Sequence, residues 1–242
     1  MTKLQALIFD VDGTLADTEQ HGHLPACNDA FTQLGYSIRW SWDEFKAMLP
    51  VQGNALRMRH TLEQRMPALS SEELDRAVAD LAQLKKQLYI EKYLPRLQLR
   101  PGVERLIDSA VERDIRLAVV SSSYEAQIEA LLQHRLSNVA ALFKPLLGKE
   151  SGRKTAPDSP LYRRCLTELG TNSHQTLVIE DSAVGFKAAH RAGLPCAVIY
   201  NDYTFGEDFA GAALVARSLE PFTLDQLAAL CLPAEASLQQ PQ

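Results

Sequence analysis

The sequence has little that would tie it to a membrane, a nucleic acid or an oxidising compartment. No apolar run approaches the ~20 residues that a helix needs to cross a bilayer. Met1 to Asp10 is too short and too soon acidic to read as a signal peptide. Basic residues are outnumbered, 25 Lys and Arg against 30 Asp and Glu, for a formal net charge of −5. That balance lacks the basic surface that non-specific nucleic-acid binding needs, although local cations can still hold a phosphate. Cysteine is scarce too: Cys27, Cys165, Cys196 and Cys231 form no CxxC pair, and none sits at ligand spacing from a histidine. Reduced thiols buried as small apolar groups are expected, with no disulfide framework. No internal repeat is visible. The cytoplasm is the expected location and a monomer the expected species.

What remains is ordinary for a globular protein. Hydrophobic residues make up 46% and charged residues 23% of 242 residues, enough for a core domain with an insert. Five short apolar runs read as buried parallel strands: Leu4–Phe9, Ile115–Ser121, Thr176–Ile179, Cys196–Tyr200 and, weakly, Ala213–Ala216. A sixth candidate lies at Leu142–Leu147. Helical spacing separates most of them, as in Val103, Leu106, Ile107, Ala110 and Val111, or in Leu161, Cys165, Leu166 and Leu169 before Gly170. This alternation predicts an α/β fold with a doubly wound, Rossmann-like parallel sheet.

Residues 20–92 break the pattern and contain no convincing strand. Leu24, Cys27, Phe31 and Leu34 form one amphipathic stripe, stopped at Gly35; Leu74, Val78, Leu81 and Leu88 form another. An all-helical insert is therefore expected after the first strand. The domain boundaries read as 1–18 with 94–242 for the core and 19–93 for the insert. Pro233–Gln242 reads as a polar, frayed tail.

Ligands of an open α/β sheet bind beyond the carboxyl ends of its strands. The first strand runs into Asp10-Val11-Asp12-Gly13-Thr14, the second into Ser121-Ser122-Ser123 and the third into Glu180-Asp181-Ser182. Acids and hydroxyls thus converge on one edge. One carboxylate of the Asp10/Asp12 pair can attack phosphorus while the other handles protons, with Gly13 permitting the turn. A carboxylate approaching a phosphate dianion is repelled, so a cation is needed, and oxygen donors suit magnesium. Singly these signals are weak. Asp-x-Asp-Gly is a common turn, Ser121 could simply cap the helix over 125–134, and Lys154 alone reads as a solvated loop lysine.

Together they resemble the haloacid dehalogenase-like superfamily. Phe9–Glu19 resembles its first motif, Leu117–Ser123 its second, Lys154 with Ala156-Pro157-Asp158 its third, and Val178–Ser182 with Gly185 and Ala192-Gly193 its fourth. The resemblance spans about residues 4–200, in the family's order. It implies a Rossmann-like core with a mobile helical cap, and Asp10 as nucleophile with Asp12 as acid and base. It implies Ser121, Ser122 and Lys154 around the phosphate. It also implies Mg2+ held by Asp10, the Asp12 carbonyl and Asp181, with Glu180 just behind. The second aspartate, absent from the dehalogenases themselves, points to phosphoryl transfer. Two departures stand out. Thr155 replaces the proline usual after the third-motif lysine, and the segment from Lys154 to Gly170 is about two residues longer than the family pattern, which leaves Lys149 as the lesser alternative to Lys154.

Within the superfamily, Glu19–Asn28 and Trp42-Asp43 resemble the branch of xylulose bisphosphate phosphatases, β-phosphoglucomutases and phosphoglycolate phosphatases. Glu19, His23 and Arg57 are the insert residues expected to read the substrate. Tyr124 and Glu125 stand where that branch often has basic residues, which counts against a bisphosphate. The expected activity is a magnesium-dependent phosphatase of small phosphorylated metabolites, sugar phosphates foremost. A β-phosphoglucomutase-type mutase and a noncatalytic phosphometabolite-binding regulator are the alternatives.

Overall fold

The computed structural model describes residues 4–51 and 53–231. The polar tail expected at Pro233–Gln242 lies outside the described residues. The chain divides into two compact units, one formed from Met1–Ala16 with Gln98–Gln242 and the other from Asp17–Leu97.

The first unit is a six-stranded sheet in which every neighbouring pair is parallel. Its strands are β1 (Ala6–Phe9), β2 (Arg116–Val120), β3 (Phe143–Leu147), β4 (Thr176–Glu180), β5 (Cys196–Ile199) and β6 (Leu214–Ala216), in the order β3-β2-β1-β4-β5-β6. All six expected strands are present, the two weakest included. β1 and β4 are buried at every position, as continuous apolar runs of a sheet covered on both faces must be.

Because the first strand is central, the order reverses beside it, and the crevice of such a sheet opens there. Phe9 pairs with Val119 on one side and Ile179 on the other. Asp10 therefore leaves the sheet level with Glu180, and its N–H still donates to the Ile179 carbonyl at 3.0 Å.

The sheet's helices follow their sequence spacing. In the helix Val103–Val111, Val103, Leu106, Ile107 and Ala110 are buried. Pro160–Leu169 begins on a proline, buries Leu161, Tyr162, Cys165 and Leu169, and stops at Gly170 in the left-handed region. The remaining helices of this unit are Glu125–Arg135, Ala183–Arg191 and Leu224–Ala229. Ser121 does not cap the helix after β2; Tyr124 occupies that N-cap position, without a side-chain bond.

The second unit contains four α-helices, Leu24–Gln33, Trp42–Ala47, Asn54–Arg65 and Ser71–Leu88, and no strand among the described residues. Its core gathers Cys27, Phe31, Trp40, Phe45, Met58, Leu62, Val78 and Leu81. The first stripe loses its last member, since Leu34 lies one residue past the helix and is exposed. Trp42–Ala47 and Asn54–Arg65 had no clear apolar stripe in the sequence. Capping boxes start the second and fourth of these helices: Ser41 with Glu44, and Ser70 with Glu73.

All four cysteines are buried with free thiols. Burial pushes Cys27 and Cys165 up to about 12, which keeps them as inert thiols. No helix among the described residues is long and apolar enough to cross a membrane.

Candidate active site

β1 and β4 end side by side, which forces their terminal acids together. Asp10, Glu180 and Asp181 each offer an oxygen within 4.8 Å of the others, and all three are buried. Lys154 reaches this cluster from the loop ahead of the helix Pro160–Leu169. Its Nζ donates to Asp10 Oδ1 at 2.6 Å and forms a second ion pair with Glu180 Oε1. The side chain read in isolation as solvated is only 5% exposed. Lys154, not Lys149, is the lysine brought to Asp10.

Glu180 is held from both sides. Tyr162 donates its hydroxyl to Glu180 Oε1 at 3.1 Å. Gly185, in the first turn of the helix Ala183–Arg191, leaves the space that the carboxylate fills, since a Cβ there would overlap it. Asp10 Oδ2, by contrast, has among the described residues only the 3.5 Å approach of Thr14 Oγ1, which stands equally far from Asp181 Oδ1. Gly13 makes the Asp10 loop possible: its φ is +78, and a Cβ there would stand 2.6 Å from the Tyr203 hydroxyl. Arg100 anchors the same loop, donating to the Gly13 carbonyl at 2.5 Å and to Tyr200 and Arg217 carbonyls at 2.8 Å each.

The electrostatics follow from crowding. Burial pushes the Asp10 carboxyl up to about 7; Lys154 opposes this, while Glu180 and Asp12 add to it. Asp181 is raised well above the ordinary carboxylate range by burial, then by Asp10 and Glu180. Burial disfavours the Lys154 ammonium, but Asp10 and Glu180 outweigh it and hold its pKa above the ordinary value. Three buried carboxylates facing one lysine retain an excess of negative charge when ionised. A hard dication with oxygen ligands fits that donor set.

Asp12 turns toward the β2 loop, where its Oδ2 accepts from the Ser123 hydroxyl. Ser121 is buried at the end of β2; its N–H donates to the Leu147 carbonyl at 3.0 Å, and its Oγ accepts from Ser123 N–H at 3.3 Å. Ser122 is exposed. Lys149 packs its ammonium 4.5 Å from the Tyr124 ring centroid and donates to the Tyr124 hydroxyl at 3.1 Å. A cation thus stands beside this loop, although none follows Ser123 in sequence.

Asn201 is one residue of this cluster that sequence reading missed. It follows β5, outside all four motifs, and its Nδ2 donates to Asp181 Oδ2 at 2.7 Å. The only signal was its place at the end of a strand of the same sheet.

In the helical unit, Glu19 and His23 lie on one wide turn, Glu19–His23, and Tyr89 opens another, Tyr89–Tyr93. The His23 ring stacks on Tyr89 at 4.2 Å, and its Nδ1 accepts from Lys85 Nζ at 2.8 Å. Both His23 and Lys85 are 5% exposed. Lys85 was not singled out, because a lysine on a helix ordinarily reads as solvated. Arg57 is also buried, and its guanidinium is extensively engaged. It donates to the Met48, Val51 and Leu49 carbonyls and to Asn54 Oδ1, all between 3.0 and 3.2 Å. Its Nη1 is 3.5 Å from Glu19 Oε2, and the group lies 5.1 Å from the Phe45 ring centroid.

The family model for haloacid dehalogenase-like hydrolases matches residues 7–199, the span that carries these loops. The chain belongs to that family. Protein CbbY of Cupriavidus necator is 37% identical over 225 residues, covering 88% of this chain and 84% of the relative. Protein CbbY of Rhodobacter capsulatus is 35% identical over 212 residues, covering 87% and 91%. Among solved structures, an Asp-to-Asn variant of CbbY from Rhodobacter sphaeroides, in complex with xylulose-(1,5)bisphosphate, superposes with a TM-score of 0.79 at 31% identity. That match covers 93% of this chain and 99% of the other.

Proposed function

We propose that this haloacid dehalogenase-like phosphatase hydrolyses a phosphorylated sugar, with a sugar bisphosphate of the xylulose class as first candidate, through a phosphoryl group carried on Asp10. The observation behind this reading is the state of Asp10. It leaves the central strand buried, with Oδ1 held by Lys154 and Oδ2 turned toward Thr14 without a short hydrogen bond. A carboxylate fixed on one oxygen presents the other in a defined direction, as nucleophilic attack requires.

Asp12 would protonate the leaving oxygen and then take a proton from the water that attacks the aspartyl-phosphate. Its hydrogen bond to Ser123 keeps its carboxylate at the mouth of the β2 loop until then. Lys154 and Ser121 would hold the phosphoryl oxygens, with Ser122 beside them. Asp10, Asp181 and the Asp12 carbonyl would hold magnesium, with Glu180 behind. When bound, the ion supplies the positive charge that offsets repulsion between carboxylate and phosphate. Lys149 on Tyr124 supports a substrate with a second anionic group, because it brings a cation to the loop that lacks one in sequence.

The test is a phosphate-release assay with magnesium over sugar mono- and bisphosphates. Release of inorganic phosphate is expected, with the ketopentose bisphosphate preferred. Conversion to an isomeric sugar phosphate without phosphate release would replace the phosphatase reading with a mutase. No turnover on the whole panel would refute both.

A further inference from the structure

We infer that Asn201 is a positioning residue that sets which oxygen of Asp181 faces a bound divalent cation. This rests on the reading of Asp181 as a cation ligand given above, and adds a residue that no motif contains.

The direction of the Asn201 amide is fixed by its own turn. Its Oδ1 accepts from Tyr203 N–H at 3.2 Å, from Thr204 N–H at 3.1 Å and from the Thr204 hydroxyl at 3.2 Å. The Thr204 oxygen in return accepts from Asn201 N–H at 3.0 Å, and Thr204 is buried. An amide whose oxygen meets three donors has one orientation left, with Nδ2 outward. That Nδ2 donates to Asp181 Oδ2 at 2.7 Å.

With Oδ2 engaged, Oδ1 of Asp181 turns toward Thr14, the same hydroxyl that Asp10 Oδ2 faces. The two oxygens directed at one point belong to the two carboxylates proposed as charged ligands. The turn itself is anchored to the Asp10 loop. Arg100 bridges the Gly13 and Tyr200 carbonyls, and a Cβ at Gly13 would stand 2.9 Å from Asn201 Nδ2. Partners that orient a ligating carboxylate ordinarily cost about 10- to 100-fold in metal affinity when removed.

The test measures Mg2+ and Mn2+ binding by calorimetry, without substrate, on the wild-type chain and on Asn201→Ser and Asn201→Ala. Serine retains an oxygen that can accept within the turn but is too short to reach Asp181. Both variants should bind each cation at least about tenfold more weakly. The serine variant should keep the wild-type melting temperature in the absence of cation. Excess magnesium should restore its turnover, because Asn201 touches no reacting atom. Wild-type affinity in the serine variant, whatever alanine does, would assign Asn201 to the turn alone and overturn the inference. The serine variant carries the test if the alanine variant fails to fold. Absence of cation binding by the wild-type chain would overturn the inference together with the magnesium part of the proposed function. Intact wild-type binding with an unaffected serine variant would overturn only the inference.

Discussion

Replacing Asp10 by asparagine should abolish turnover and, in the absence of divalent cation, stabilise the fold. The second effect can be worked out from the crowding at the strand ends. Burial beside Glu180 and Asp12 lifts Asp10 from 3.8 to about 7 despite Lys154. A carboxyl whose folded pKa exceeds its unfolded pKa binds more protons when folded, so stability falls as pH rises between the two values. The loss begins above the unfolded pKa and is complete above the folded one. Each pKa unit corresponds to about 1.4 kcal/mol, so the ionised Asp10 costs the cation-free fold roughly 4 kcal/mol above pH 7. At pH 5 the cost is roughly 1–2 kcal/mol, because only the interval from 3.8 to 5 counts. Asp10→Asn removes the titration. Its advantage over wild type should therefore grow by roughly 2–3 kcal/mol between pH 5 and pH 8. Urea unfolding with chelator at the two pH values measures this directly. Magnesium should then narrow the difference at pH 8 by stabilising the wild-type chain, as any ligand of the folded state does. An advantage that is absent, or the same at both pH values, would refute the electrostatic account of the site.

Asp12→Ala should lower kcat about 100-fold or more with little change in KM, since it removes proton transfer from the transition state; an unchanged kcat with a raised KM in steady-state kinetics would refute the role. Tyr162→Phe should cost about 1 kcal/mol in urea unfolding through loss of its 3.1 Å bond to Glu180, and wild-type stability would show that the bond adds nothing. Arg57→Ala should destabilise the fold by about 2–4 kcal/mol, because three carbonyls and Asn54 lose a buried donor; an unchanged melting curve would contradict that. His23→Ala should lose far more efficiency on the preferred sugar phosphate than on a small aryl phosphate, and equal losses would remove His23 from substrate reading.

Much of the core was legible in the sequence for one physical reason. A parallel strand covered on both faces has to be an apolar run, and the residues just after such runs are those at the open edge of the sheet. Asp10, Ser121 and Asp181 could be placed from that rule before any motif was considered. Lys154 could not. A loop lysine reads as solvated, and only its resemblance to a family motif marked it, while its burial between Asp10 and Glu180 depends on the long connection after β3. Asn201 obeys the strand-end rule as well as Asp181 does. It went unseen because an asparagine there is also an ordinary turn residue, and its turn is in fact what aims it.

The helical unit shows the opposite case. Periodicity found the helices Leu24–Gln33 and Ser71–Leu88 but not Trp42–Ala47 or Asn54–Arg65. The third helix buries Arg57 and Thr61 beside Met58 and Leu62, so half of its inner face is polar and no apolar stripe can be read. Arg57 is a candidate for substrate contact when charge alone is considered. Its partners give it another duty, closing the carbonyls of the 48–51 turn and packing near Phe45. His23 and Lys85 differ from it in kind, since the contact between them joins two helical segments far apart in sequence and rests on the Tyr89 ring. A change of substrate preference larger than any loss of stability accounts for should therefore follow substitution at His23 or Lys85. At Arg57 it should arrive only with a loss of stability, and that difference separates a residue that reads a ligand from one that holds the segments presenting it.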